Sequence, residues 1–256
     1  MKSVMLCEAS TLGDVRQLTD VIVERKYDGI RAYIYDGKLY DRRNADITRK
    51  FPEFIGLDKL SHGIMYDGEV LVGESFANTA ARVHLKDAFK VRLAMTTAPA
   101  TFWCFDAVVD TEEDMPLMER KGLVHDVVEN VVCSSWFREV PALMSVDAAW
   151  VLVQEGAWEG IVVKDADSGY VGKRSAAWRK IKMFTETIAE FVKYELHPKG
   201  VRIETADGRA VNINGHAAQE VILRMRRGEK VRCYVQYLPQ AESDAWRFPS
   251  FRGCVD

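Results

Sequence analysis

The sequence predicts an α+β fold in which antiparallel sheets with flanking helices are followed by a small β-barrel. Short apolar runs separated by turn dipeptides are typical of antiparallel strands. A few longer stretches with helical character lie between these runs. The final part of the chain again contains short strands and turn signals, and this separates it from the mixed part before it.

The predicted strands of the first part are short and start early in the chain. They cover residues 21–23, 32–35, 38–40, 101–109, 160–163 and 178–182, and a further pair of strands is expected within 64–72. The dipeptide Asp36-Gly37 predicts a hairpin, because Asp and Gly tolerate the positive φ angles of a two-residue turn. Helical character over residues 78–93, 118–132 and 146–155 supplies the interposed helices.

A domain boundary is predicted near residues 185–189, giving domains 1–184 and 185–256. Turn signals then recur at residues 206–209, 212–215 and 227–230. Short strands separated by such turns suit a small β-barrel of the OB type.

Composition excludes several classes of protein. The 256 residues contain no apolar stretch long enough to span a membrane, and the first residues lack the apolar core of a signal peptide. The five cysteines are scattered and never form a C-x-x-C pair, which argues against a zinc site and a disulfide framework. We therefore expect a cytoplasmic protein without a membrane partner.

The formal net charge is −3, but the charges are unevenly distributed. Residues 25–50 contain eight basic and four acidic side chains, and residues 164–182 contain six and two. Residues 106–155 contain three basic and eleven acidic side chains. A polyanion could therefore bind at the two basic segments while the acidic segment faces away from it.

Lys26 is the strongest candidate for a catalytic residue. It lies in the pattern K-x-D-G-x-R, directly after a predicted strand and before the turn dipeptide Asp28-Gly29. A rigidly held amine at a strand end can attack an electrophile and carry it covalently. The pattern predicts a nucleophilic lysine whose amine points into a cleft.

Four further segments follow in order: Tyr66-Asp67-Gly68-Glu69, Phe102 to Asp106, Glu159 to Lys164, and Trp178 to Lys182. With the Lys26 pattern, this series resembles the covalent nucleotidyltransferases, which comprise DNA ligases, RNA ligases and mRNA capping enzymes. The closest resemblance is to short ATP-dependent DNA ligases of bacteria and bacteriophages. It extends over about residues 5–184 and more weakly over the tail.

The resemblance implies an adenylation (nucleotidyltransferase) domain at residues 1–184 and an OB-fold domain at 185–256. Lys26 would attack the α-phosphorus of ATP and carry AMP, which then passes to the 5′-phosphate of a nick. The position of Lys26 near the start implies a form without an N-terminal DNA-binding domain. Nicked double-stranded DNA is the expected partner of a monomer. An RNA ligase or a catalytically inactive nick-binding protein is the alternative.

The resemblance assigns the cofactor contacts to charged residues near the strand ends. Glu69 is expected to close a turn at Asp67-Gly68-Glu69 after a strand, and it would contact the ribose hydroxyls or a metal ion. Glu159 would hold Mg²⁺, for which Mn²⁺ could substitute. Lys180 and Lys182 alternate with Ile181, so both ammonium groups should lie on one strand face and bind the triphosphate.

Three further residues are expected around the nucleoside. Phe105 would stack on the adenine ring, although a core phenylalanine is the alternative. Glu24 resembles the position that reads the adenine amino group. Arg31 resembles the arginine that contacts the ribose or the nick phosphate.

Basic residues of two loops are expected to bind DNA. Arg42 resembles a phosphate-binding arginine, but Asp41 replaces the serine usual in that stretch, so Arg43 shares the assignment. Lys173 and Arg174 lie in a loop that resembles the Y-x-x-G-x-S segment of these enzymes, with a plain surface turn as the alternative.

Overall fold

The chain forms two compact units. The computed structural model describes residues 2–112, 114–130, 135–143, 145–156, 158–198, 200–238 and 246–255. The first unit is Met1–Ile181 and the second is Lys182–Asp256. This division lies slightly before the predicted boundary. No helix among the described residues is long and apolar enough to cross a membrane.

The first unit mixes strands and helices. Its strands are β1 (Leu6–Ala9), β2 (Val21–Arg25), β3 (Ile30–Tyr35), β4 (Lys38–Asp41), β5 (Ile64–Val72), β6 (Ala100–Val109), β7 (Phe137–Glu139), β8 (Ala142–Leu143), β9 (Gly160–Asp165) and β10 (Arg174–Lys182). Its helices are α1 (Leu12–Val15), α2 (Phe76–His84), α3 (Ala88–Thr97), α4 (Leu117–Asn130) and α5 (Val146–Gln154). The predicted α+β class is therefore confirmed.

These strands form two sheets. The first sheet has the order β1-β10-β9-β2-β8, and the second has the order β4-β3-β5-β6-β7. Most neighbouring strands are antiparallel, whereas β1 pairs with β10 and β6 pairs with β7 in parallel. Because β2 and β3 belong to different sheets, the chain crosses from one sheet to the other directly after β2.

The second sheet is buried on both faces, which explains its long apolar strands. One face packs towards the first sheet through a cluster that includes Tyr33, Leu71 and Trp178. The opposite face packs against α4 through a cluster that includes Phe102 and Val124.

The hairpin at Asp36-Gly37 is confirmed. Both residues have positive φ, 47° and 73°, and β3 pairs with β4. The predicted strand pair in residues 64–72 is wrong, because β5 is a single continuous strand. The helical character expected over 78–93 is confirmed, but it belongs to two helices, α2 and α3. Asp87 accepts a hydrogen bond from the Lys90 backbone N–H at 2.9 Å and so starts α3 separately from α2. Of the helix expected over 118–132, the last two residues lie outside the described part of the chain.

The second unit is an OB-type barrel, as predicted. Its strands are β11 (Thr185–His197), β12 (Gly200–Thr205), β13 (Ala210–Ile213), β14 (Val231–Leu238) and β15 (Arg247–Cys254), and its helix is α6 (Gly215–Arg226). The antiparallel order is β13-β12-β11-β14-β15, and β13 also lies against β15, so the sheet nearly closes. Sequence reasoning missed α6 because Asn214-Gly215, interpreted as a turn, is where this helix begins.

Candidate active site

Lys26 lies at the crossing between the two sheets. It follows the last residue of β2, and its backbone N–H donates to the carbonyl of Gly160 at 2.9 Å. This hydrogen bond attaches the Lys26 backbone to the start of β9. The nucleophile candidate is thus placed by two neighbouring strands of the first sheet.

The amine of Lys26 is paired with the carboxylate of Glu159. Nζ lies 2.6 Å from Oε2, and the side chains are 21% and 8% exposed, respectively. A charge-assisted hydrogen bond at this depth fixes the direction of the amine. The structure therefore brings together two residues that the sequence assigned separately, one as the nucleophile and one as a metal ligand.

Gly29 is required by close packing rather than by a hairpin turn. Its φ is not in the left-handed region, and the segment 26–29 connects two different sheets. A Cβ at this position would overlap the carbonyl oxygen of Val70. The glycine thus lets the segment that follows Lys26 approach β5.

Glu69 lies within β5, so the turn expected at Asp67-Gly68-Glu69 is wrong. The pairing register of β5 with β6 shifts between Asp67 and Gly68, and this bulge replaces the turn. Glu69 Oε1 accepts the Gly29 backbone N–H at 3.2 Å. Burial raises the pKa of Glu69 to about 7, although the positive charges of Arg31 and Lys26 oppose the shift.

Arg31 is held by a buried carboxylate. Its Nε and Nη2 donate to the two oxygens of Asp67, both at 2.7 Å, and Nη2 also donates to the carbonyl of Met5. The hydroxyl of Tyr170 donates to Asp67 Oδ2 at 2.6 Å. This network fixes the guanidinium, whose side chain keeps 17% exposure.

Phe105 is largely buried, with 8% exposure. The Arg31 guanidinium carbon lies 4.3 Å from its ring centroid and the Lys164 amine lies 4.5 Å from it. Trp178 packs edge-on against the same ring at 5.9 Å. These contacts place Phe105 in the core of the first unit, and its adenine-stacking role stays a prediction.

Glu24 is also buried, with 2% exposure, and its carboxylate forms ion pairs with two lysines. Lys164 Nζ lies 2.6 Å from Oε2, and Lys121 Nζ lies 3.1 Å from Oε1. Lys121 also pairs with Glu139 at 3.3 Å. The predicted reader of the adenine amino group is therefore part of a buried ionic network.

Lys180 and Lys182 lie on β10, which ends at Lys182. Both side chains are partly exposed, and the intervening Ile181 is buried, as the alternation predicted. Lys182 belongs to the second unit, where its amine lies 5.3 Å from the Phe248 ring centroid. Arg179, which precedes Lys180, donates to the Ala176 carbonyl.

The residues predicted to bind DNA are exposed. Asp41 Oδ1 accepts the backbone N–H groups of Arg43 and Ala45, so the aspartate forms the turn that presents Arg42 and Arg43. In the second loop, Lys173 and Arg174 are likewise exposed. Arg174 also donates to the carbonyl of Cys7.

The donors around Lys26 fit a hard divalent cation. Glu69 and Glu159 supply carboxylate oxygens, which Mg²⁺ prefers. Among the described residues, no group of three or more His, Cys, Asp or Glu side chains forms a cage for a metal. Magnesium is usually bound by one or two carboxylates together with substrate phosphates, so these residues suit an ion that arrives with a nucleotide.

Sequence reasoning missed several residues of this region. Asp67 and Tyr170, which hold Arg31, lie within segments that had been singled out, so their proximity to a motif could have identified them. Lys164 ends the Glu159 segment, but its amine points to Glu24. Lys121 lies on α4, and nothing local in the sequence marks it.

Comparison with known proteins shows the family. Residues 5–182 match the family model described as ATP dependent DNA ligase domain, so the chain belongs to this family. The predicted resemblance is thereby confirmed.

Two curated relatives illustrate the similarity. The chain is 31% identical over 176 residues to the SPbeta prophage-derived DNA ligase-like protein LigB of Bacillus subtilis, covering 62% of this chain and 60% of that protein. It is 33% identical over 198 residues to a probable DNA ligase of Streptomyces griseus, covering 68% of this chain and 38% of the relative. The chain thus spans less than two thirds of the length of these relatives.

The fold has a structural counterpart over its whole length. A solved structure from a study of Lig E DNA ligases superposes with a TM-score of 0.76 at 20% identity, covering 100% of both chains. At this identity the match supports the nucleotidyltransferase and OB-type architecture.

Proposed function

We propose that the protein is an ATP-dependent DNA ligase that seals nicks in duplex DNA. The observation that carries the proposal is the amine of Lys26, held 2.6 Å from Glu159 at the crossing of two sheets and close enough to Glu69 to influence its charge. Family membership and this arrangement together support covalent nucleotide transfer.

The reaction has three steps. The neutral amine of Lys26 attacks the α-phosphorus of ATP, a P–N bond forms, and pyrophosphate leaves. The 5′-phosphate of the nick then attacks the lysyl-bound AMP and displaces the lysine. Finally, the 3′-hydroxyl attacks the activated 5′-phosphate, forms the phosphodiester and releases AMP.

Glu159 directs the first step. Its Oε2 accepts a hydrogen bond from the Lys26 amine and is the acceptor placed to receive the proton that the ammonium must lose. A bound Mg²⁺ would neutralise phosphate charge as a Lewis acid. Glu69 and Glu159 are the residues we assign to hold it, and Lys180 and Lys182 are assigned to the triphosphate.

The DNA partner is assigned from charge and exposure. Arg42, Arg43, Lys173 and Arg174 are exposed cations on two loops of the first unit. We assign them to backbone phosphates of nicked duplex, which give affinity without sequence preference. In this proposal Met1–Ile181 performs adenylation, Lys182–Asp256 supplies the OB fold, and the protein acts as a monomer.

Intact mass spectrometry after incubation with ATP and Mg²⁺ tests the proposal. The wild-type protein should gain the mass of one AMP, and addition of nicked DNA should remove it. Lys26→Arg should gain nothing, because a guanidinium stays protonated at neutral pH. This substitution keeps a cation beside Glu159, whereas Lys26→Ala would remove the Lys26 cation from a largely buried carboxylate.

Lys38→Ala is the control and should still gain the mass of one AMP, because Lys38 lies on β4 with its side chain 58% exposed. An adduct on Lys26→Arg, or none on the wild type, would contradict the proposal. Parallel reactions with nicked RNA distinguish the RNA ligase alternative. An adduct that forms without sealing of any nick would favour other transfer chemistry.

A further inference from the structure

Arg25 and Tyr27, the residues on either side of Lys26, are held by a row of packed side chains. The row also contains Trp103 and Trp158, and it is separate from the Lys26–Glu159 ion pair. Arg25 ends β2, and strand alternation places it on the face opposite Glu24. Tyr27 follows Lys26 and is 9% exposed. Neither side chain has a role in the chemistry proposed above.

The row runs through rings and a guanidinium. Tyr27 and Trp103 stack with ring centroids 4.6 Å apart and an interplanar angle of 21°. The guanidinium carbon of Arg25 lies 4.7 Å from the Tyr27 centroid and 5.9 Å from the Trp158 centroid. Both contacts of the Arg25 guanidinium are within the range of a cation–π interaction.

Arg25 also forms an ion pair with a residue of the turn after β5. Its Nη2 lies 2.6 Å from Oε2 of Glu74, which immediately precedes Ser75, the N-cap of α2. The Arg25 side chain is only 25% exposed, so the guanidinium is largely withdrawn from solvent. One side chain therefore links β2, the segment before β9 and the turn after β5.

These links reach both members of the reactive pair. Tyr27 follows Lys26 in the chain, and Trp158 precedes Glu159, so Arg25 contacts the neighbour of each. We propose that Arg25 is a positioning residue that fixes the Lys26 amine and the Glu159 carboxylate relative to each other during lysine adenylylation. This inference rests on the proposed function of Lys26.

Displacement of a nucleophile by about 1 Å can cost about 10²-fold in rate, while binding of the nucleotide need not change. Arg25→Met should therefore lower the maximal rate of lysyl-AMP formation by 10- to 100-fold, with the half-saturating ATP concentration changed less than about threefold. Arg25→Lys should recover only part of the rate, because an ammonium keeps the charge but lacks the planar surface that bridges two rings.

Arg138→Met is the matched control. The Arg138 guanidinium carbon lies 5.7 Å from the Trp103 centroid, at the opposite end of the row from Arg25. It should adenylylate at the wild-type rate. Glu74→Gln should also slow adduct formation, but less than Arg25→Met does. Because Glu74 is 65% exposed, this variant also serves if Arg25→Met does not fold.

The experiment is single-turnover adduct formation at a series of ATP concentrations, with folding checked by thermal unfolding. A rate for Arg25→Met equal to wild type, or a loss seen mainly as weaker ATP binding, would overturn the positioning role and leave the proposed function standing. Equal losses in Arg25→Met and Arg138→Met would also overturn it. If the wild type forms no adduct, the proposed function and this inference fail together.

Discussion

Replacing Glu69 by glutamine should stabilise the free protein, and the gain should depend on pH. The pKa of Glu69 rises from 4.5 to about 7 because the carboxyl is buried. A raised pKa in the folded state favours folding while the group is protonated. This contribution is complete below pH 4.5 and is lost as the pH rises through about 7.

The magnitude follows from the shift. One pKa unit corresponds to about 1.4 kcal/mol, so the shift from 4.5 to about 7 sets an upper limit of roughly 3 kcal/mol above pH 7. Although the carboxyl is buried, Glu69 as a whole residue is partly exposed, so solvent screening reduces the expected gain to about 2 kcal/mol. Glutamine retains an oxygen that can accept the Gly29 N–H, so the local hydrogen bond survives.

Urea unfolding of wild type and Glu69→Gln at pH 5 and pH 8.5 measures this difference. The variant should be more stable at pH 8.5 and nearly equal at pH 5, and comparison at each pH cancels the titration of other groups. Glu8→Gln, an exposed glutamate on β1, should show no such pH dependence. A gain that is the same at both pH values, or a loss that grows with pH, would refute the reasoning.

Two further predictions concern catalysis and DNA binding. Glu159→Gln should lower the rate of adduct formation by roughly 10²-fold with little effect on ATP affinity, because the carboxylate acts on charge that develops in the transition state. Single-turnover kinetics with Mg²⁺ and with Mn²⁺ measure this rate. A near-normal rate would exclude a catalytic role for Glu159. If Arg42, Arg43, Lys173 and Arg174 each contact a phosphate, affinity for nicked duplex should fall about a hundredfold between 50 and 200 mM salt and vary little with sequence. The double variant Arg42→Ala, Arg43→Ala should reduce the slope of log affinity against log salt by about 2, and an unchanged slope would remove these residues from the interface.

Local patterns were sufficient to predict much of the fold. The hairpin at Asp36-Gly37 follows from the φ angles that these residues tolerate, and the strands around it follow from alternation and apolar runs. The helix α6 was missed because Asn and Gly favour both turns and helix starts, and only packing of the helix on the barrel decides between them.

The sequence by itself predicted the class of chemistry that we propose for this protein. The order of its motifs singled out Lys26 as the candidate nucleophile and Glu159 as a candidate metal ligand. What only the tertiary structure decided is which groups those residues meet. Glu24 forms an ion pair with Lys121, which lies 97 residues away in the chain. Arg31 is held by the carboxylate of Asp67 on another strand. Such contacts arise where separate strands and helices pack together, and no short stretch of sequence contains that geometry.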